Sequence, residues 1–116
     1  MQTREFQEDG VHILALAGEI DLASSPELRA LLHAHAQARR SALLIDFGGV
    51  SYVDSSGLAT LVEYVRKVQH FGGRLALAAV TERVRTIFDL VRLSEIFPIY
   101  PTLADAKAAL AVSPGA

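Results

Sequence analysis

Residues 42–47, Ala-Leu-Leu-Ile-Asp-Phe, are apolar at almost every position, and no other segment constrains the fold as tightly. A strand with one wet face alternates apolar and polar residues, whereas a near-continuous apolar run needs cover on both faces. Helices supply such cover, so the run predicts a central strand in a largely parallel sheet. Residues 11–18 make a shorter apolar run stopped by Gly18. They are expected to pair, through a turn at Gly10, with a polar strand over residues 3–8. Next, Ser24 or Ser25 is placed to cap a helix with Pro26 in its first turn and Glu27 near its positive end. Leu28, Leu31, Leu32 and His35 or Ala36 share one face of that helix, which should end near Arg39-Arg40.

Beyond the central strand, Gly48-Gly49 is expected to loosen the chain before residues 50–53 lead into a second helix at Asp54-Ser55-Ser56-Gly57. Its spacing turns Leu58, Leu61, Val62, Val65 and Val68 inward and Thr60, Glu63, Lys67 and His70 mostly outward, with Gly72-Gly73 as its stop. A strand over residues 74–78 follows. Thr81 then caps a helix reaching about Val91, with Val84, Ile87, Phe88 and Val91 inward. Residues 97–100 form a short strand at a sheet edge, because Pro98 has no N–H for a ladder. Thr102 opens a last helix over Leu103, Ala106, Ala109 and Leu110, ahead of the tail Ser113-Pro114-Gly115-Ala116. This alternation predicts an α/β fold with a mixed, mostly parallel sheet of about four to five strands and about four helices. The 116 residues fit a single domain spanning 1–116, with its core over about 3–110.

Composition narrows the function classes. Hydrophobic residues make up 51% of the chain and mean hydropathy is +0.29, which suits a packed aliphatic core. Eleven basic and thirteen acidic residues leave a formal charge of -2. Arg39-Arg40 and Arg66-Lys67 are the only basic pairs, so the footprint of a nucleic-acid binder is missing. The absence of cysteine excludes disulfides, thiol catalysis and thiolate metal sites. No apolar run approaches the roughly 20 residues that span a bilayer, and the N-terminus does not resemble a signal peptide; a soluble cytoplasmic protein with no direct membrane insertion is expected.

Catalytic templates fail as well. Neither glycine pair opens a phosphate-binding loop or a dinucleotide fingerprint. His33 and His35 are two apart on a helix and diverge, while His12 and His70 are isolated, so no metal site is expected. Glu19 and Asp21 flank an apolar residue without a partner base or nucleophile, and no Gly-x-Ser-x-Gly elbow is present. The chain is expected to be no enzyme and to use no cofactor. From the residues alone, Asp54-Ser55-Ser56-Gly57 reads as a helix cap whose side-chain oxygens accept orphan amides.

Several segments in order carry a further signal: Gly18-Glu19-Ile20-Asp21; Leu43-Leu44-Ile45-Asp46-Phe47; Val50-Ser51-Tyr52-Val53-Asp54-Ser55-Ser56-Gly57-Leu58; Gly72-Gly73-Arg74-Leu75-Ala76-Leu77; and Leu93-Ser94-Glu95-Ile96-Phe97-Pro98-Ile99-Tyr100. Together, over about residues 3–110, they resemble the STAS domain family, and within it the bacterial anti-sigma factor antagonists. The resemblance implies that the unphosphorylated form binds an anti-sigma factor serine kinase and frees a sigma factor. Phosphorylation at the start of the second helix switches that binding off, and a PP2C-type phosphatase restores it. By the same match the acceptor is Ser56, with Ser55 second. Asp54 takes the acidic position beside it, and Asp21 the acidic position in the nearby loop. The implied contact surface is the loop from Asp21 to Ser25, including Ser24, with Asp54, the turn from Ser55 to Gly57, and the outward face of the second helix, including Thr60, Glu63 and Lys67. Physically, a phosphate adds about -1.5 to -2 charges, which a helix N-terminus tolerates and a neutral interface does not. An alternative within the resemblance is an accessory subunit of an ABC-type membrane transport complex.

Overall fold

The apolar run at residues 42–47 becomes the first half of β3 (Ala42–Val53), which lies in the middle of the sheet. In this computed structural model, which describes residues 1–111, the spatial order of strands follows the chain: β1 (Gln2–Glu8), β2 (Val11–Ile20), β3, β4 (Arg74–Ala78) and β5 (Ile99–Tyr100). β1 runs antiparallel to β2, and each later neighbour pair is parallel. Asp9 and Gly10 make the hairpin turn with φ of 52° and 77°, as a two-residue turn that follows the strand twist requires. Three α-helices join the parallel strands, α1 (Ser25–Gln37), α2 (Ser55–Gln69) and α3 (Glu82–Leu90), and a fourth, α4 (Leu103–Ala111), follows β5 among the described residues. This is the expected mixed α/β architecture. The tail expected over residues 113–116 lies outside the described residues.

Both faces of the sheet are covered, by different amounts of helix. Leu43, Ile45 and Phe47 of β3, with Leu14, Leu16, Leu75 and Leu77, pack against Leu28, Leu32, Leu61, Val68, Val84 and Phe88. The intervening residues Leu44, Ala76 and Ala78 join Val11 and Ile13 beneath Ala106 and Leu110 of α4. Period-two alternation thus sends one set of side chains toward three helices and the other, which includes Ala76 and Ala78, toward a single short helix. His35 is buried on α1 and ties that helix to the hairpin, its Nε2 2.7 Å from Glu5 Oε1.

Local rules account for most boundaries. Thr81 Oγ1 accepts the Val84 amide and Thr102 Oγ1 the Asp105 amide, as expected of caps. Gly72, at φ 76°, turns the chain after α2. Departures from the expected pattern have packing causes. Val91 is 52% exposed because α3 ends at Leu90, before another turn could carry it inward. On α2, Tyr64 is buried while Val62 and Val65 are half-buried, since α1 packs along the Tyr64 side. Burial pushes the Tyr64 phenol up to about 12, against the opposing influence of Arg40. Gly48-Gly49 does not end the strand. β3 instead carries one residue more than β2 between Ala15 and Ala17, and another between Gly18 and Glu19. A Cβ on Gly49 would stand 2.8 Å from Ala17 Cβ, so this close crossing of the two strands needs glycine.

Phe88 is fully buried and meets Phe47 edge to face, at 5.9 Å between ring centroids, and Phe97 at 6.0 Å. Phe88→Ala is expected to lower stability by about 3–5 kcal/mol, read as a reduced urea midpoint at unchanged m-value.

Candidate functional site

Parallel strands β2 and β3 finish side by side, with Ile20 opposite Val53, and the Asp54 amide donates to the Ile20 carbonyl at 3.0 Å. The loop into α1 and the start of α2 are therefore neighbours. In that loop neither Ser24 nor Ser25 caps α1 with its side chain, and Asp21 closes the turn that precedes the helix. Its Oδ1 accepts the amides of Ala23 and Ser24 at 3.1 and 3.0 Å, while Ser24 Oγ accepts the Asp21 amide at 2.9 Å. This is a reciprocal box with serine in the position usual for Glu or Gln. Ser24 precedes α1 but makes no side-chain cap, and Ser25 is the first helical residue.

At α2 the expected cap forms. Asp54 Oδ1 accepts the Ser56 and Gly57 amides at 2.9 and 3.1 Å and the Ser56 hydroxyl at 2.6 Å. Its other oxygen accepts the Leu22 amide at 3.1 Å, which joins the two loops. The Ser56 hydroxyl above all, and then the Gly57, Ser56 and Leu22 amides, hold the Asp54 carboxyl below its ordinary range against the opposing pull of desolvation. Ser56 is half-buried and Ser55 is exposed. Gly57 lies beneath them: a Cβ there would come within 2.7 Å of Ile20 Cγ2 and 2.9 Å of Val53 Cγ1, so glycine lets α2 begin flush against the strand ends.

With this geometry in place, the chain can be set beside known proteins. The family model for the STAS domain matches residues 5–106. The chain belongs to the STAS domain family. This STAS chain is 39% identical over 84 residues to the anti-sigma-B factor antagonist of Bacillus subtilis, covering 72% of this chain and 76% of that one. It superposes on the crystal structure of an anti-sigma factor antagonist from Mycobacterium paratuberculosis with TM-score 0.85 and 32% identity, over 94% of this chain and 92% of that one. The Bacillus cell fate determinant SpoIIAA in its phosphorylated form shares the fold, with TM-score 0.73 and 20% identity over 94% of this chain and 99% of that one.

The STAS fold gathers some of the residues singled out from sequence and separates others. Asp54, Ser55, Ser56 and Gly57 form one turn, with the Asp21–Ser24 box alongside it. Asp21 reaches Ser56 only indirectly, through its main-chain carbonyl and Ser25; its carboxylate is spent within its own turn. Thr60 does not face outward. It is 1% exposed, donates to the Ser56 carbonyl at 2.9 Å and accepts from Arg29 Nη2 at 3.2 Å, because α1 packs over that side of α2. Glu63 and Lys67 continue the same seam, with Glu63 paired to Arg29 at 3.3 Å and to Lys67 at 3.1 Å. The face of α2 turned to solvent instead carries Ser55, Ala59 and Arg66, with Val62 half-buried among them.

One residue of the STAS site, Arg29, escaped the sequence reading, and Leu22 and Ser25 entered it only as members of the Asp21–Ser25 loop. Leu22 is 77% exposed on the loop that Asp54 latches; its signal was an apolar residue stranded among turn formers. Arg29 bridges the helices, and nothing local marks it. Ser25, read as a possible cap and as the end of that loop, is buried against Ser56. Among the described residues no three His, Cys, Asp or Glu side chains are grouped to hold a metal ion, and no helix is long and apolar enough to cross a membrane.

Because the folded Asp54 carboxyl titrates below its unfolded value of about 3.9, its contribution is complete above that value and is lost as pH falls through the lower folded one. Asp54→Asn keeps a capping oxygen but not the charge. Denaturant midpoints are expected to show it less stable than wild type by about 0.3–1 kcal/mol at pH 7, with the gap closing below pH ~4.

Proposed function

We propose that this chain is an anti-sigma factor antagonist, a binding protein and not an enzyme, whose hold on an anti-sigma factor kinase is switched off by phosphate on Ser56. One observation carries the reading: at the start of α2 a half-exposed hydroxyl is hydrogen-bonded at 2.6 Å to an ionised carboxylate, at the position that matches the family's acceptor. The relatives named as anti-sigma factor antagonists support it, and so does a shared fold whose SpoIIAA example has a phosphorylated form. Ser55 is the lesser choice, since its side chain has no comparable partner to orient it.

In the unphosphorylated state the loop tip at Leu22, the Ser55–Ser56 turn and the outward face of α2 make a mostly neutral docking surface. Asp21, Ser24, Asp54 and Gly57 shape it from behind, while Thr60, Glu63 and Lys67 hold α2 against α1. A phosphate on Ser56 places about two negative charges beside Asp54, and a partner covering that pair must desolvate both. Binding is lost through charge, with the two hydrophobic clusters of the sheet untouched. Removal of the phosphate by a PP2C-type phosphatase restores the surface. This cycle places the protein in the cytoplasm with its sigma factor. Read as a transport-complex subunit, the same chain would leave the Asp54–Ser56 pair without a task.

Incubation with the anti-sigma kinase of the same genome and ATP, followed by mass spectrometry, is expected to place one phosphate on Ser56. Ser56→Ala should take none and still bind the kinase, and Ser56→Asp should bind at least about tenfold more weakly by calorimetry. Equal affinity of the two folded variants sinks the switch.

A further inference from the structure

Ser25 opens α1 with its side chain almost fully enclosed, at 2% exposure. Its hydroxyl lies 2.7 Å from the Asp21 carbonyl and 2.8 Å from the Ser56 hydroxyl. Ser56 Oγ lies in turn 2.6 Å from Asp54 Oδ1. Three oxygen–oxygen contacts therefore share two protons, since each serine hydroxyl donates once and neither a carbonyl nor an ionised carboxylate donates. The shortest contact faces an anion, and a lone pair against a carboxylate at that range is repulsive, so the Ser56 proton stays on the Asp54 side. The Asp21 carbonyl already receives the Ser25 and Ser24 amides, at 2.8 and 3.2 Å. The Ser25 hydroxyl, donating at 2.7 Å to that well-supplied carbonyl and 2.8 Å from Ser56 Oγ, can therefore share or turn its one proton toward Ser56 Oγ.

We propose that Ser25 is a positioning residue for Ser56: its buried hydroxyl and the Asp54 carboxylate hold Ser56 Oγ from two sides and leave one lone pair directed at an incoming phosphoryl group. The assignment rests on Ser56 being the phosphoacceptor. A plain back-bond to the carbonyl four residues earlier explains the Asp21 contact but not the one that crosses from α1 to α2. During transfer the Oγ–P bond forms as the γ-phosphorus of ATP parts from its bridging oxygen, the electron pair leaving on ADP. The Ser56 proton passes to Asp54 Oδ1 and on to solvent; a weak base suffices because the transition state is loose. Once that proton has gone, Ser25 still has a proton to give to the ester oxygen, where Asp54 offers only repulsion.

The test combines kinase assays with ¹³C NMR titration of the Asp54 carboxyl in the isolated protein, for wild type, Ser25→Ala and Ser25→Thr. Ser25→Ala is expected to lower kcat for Ser56 phosphorylation about tenfold at nearly unchanged KM, the signature of lost orientation. The Asp54 midpoint should rise toward that of Ser56→Ala, because an unheld Ser56 hydroxyl bonds the carboxylate less often. Ser25→Thr, which retains the hydroxyl, should restore both, and thermal melts verify folding of each variant. If wild-type Ser56 is phosphorylated and Ser25→Ala matches its kcat, the positioning role is overturned while the phosphoacceptor reading stands. If wild-type Ser56 takes no phosphate, the phosphoacceptor reading fails. In that case an unmoved Asp54 midpoint in Ser25→Ala overturns the hold on Ser56 as well, and a raised one upholds it.

Discussion

The Asp54 carboxylate is the joint on which both loops at the carboxyl ends of β2 and β3 depend. Four donors converge on it: the Ser56 and Gly57 amides and the Ser56 hydroxyl on one oxygen, and the Leu22 amide on the other. A helix cap ordinarily serves its own first turn. This one also fixes a loop 32 residues earlier in the chain, so the position of exposed Leu22 and the start of α2 are set together. Gly57 makes the arrangement possible by letting α2 settle directly onto Ile20 and Val53.

That convergence changes how an added phosphate must be pictured. Helix N-termini accept anions because their first amides lack partners. Here the Ser56 and Gly57 amides already belong to Asp54, so a phosphate on Ser56 meets a carboxylate in possession and not an empty anion site. The tolerance inferred from the helix dipole alone is thereby reduced. What protects the fold is the breadth of the packing: only Ile20, Val53 and Leu58 of the main cluster lie at the helix start, while Leu43, Ile45 and Phe47 of β3 are engaged further along and α4 closes the opposite face. A local conflict of charge can therefore alter the surface without reaching the core.

Much of the fold was legible in the sequence, for identifiable reasons. The strand at Arg74–Ala78, the Thr81 and Thr102 caps and the edge position of the Pro98 segment followed from local chemistry that packing did not overrule. At the site, Asp54 and Ser56 were visible because their partners lie within three residues. The burial of Ser25 and Thr60 was not, since both owe it to α1 lying along α2, a long-range fact with no local trace. The turn that Asp21 closes ahead of α1 was missed because a serine stands where the usual box has Glu or Gln. The glycines at 48 and 49 were read as loosening the chain, and the continuation of β3 through them was not legible because its buried residues there, Phe47, Val50 and Val53, recur every third position, which is not the rhythm of a strand.

Those two three-residue steps have a consequence in parity. Each extra residue in β3 exchanges inside for outside, so a single one would have sent Val53 to solvent and turned Asp54 toward the core. A pair restores the original sense, and Val53 arrives opposite Ile20 with both side chains buried. The orientation of the Asp54 turn thus depends on both steps falling between Phe47 and Val53. Loss of one glycine from the Gly48-Gly49 pair would remove the first step together with its extra residue, leaving Val50 two positions after Phe47, the ordinary rhythm of a strand, and Val53 still opposite Ile20.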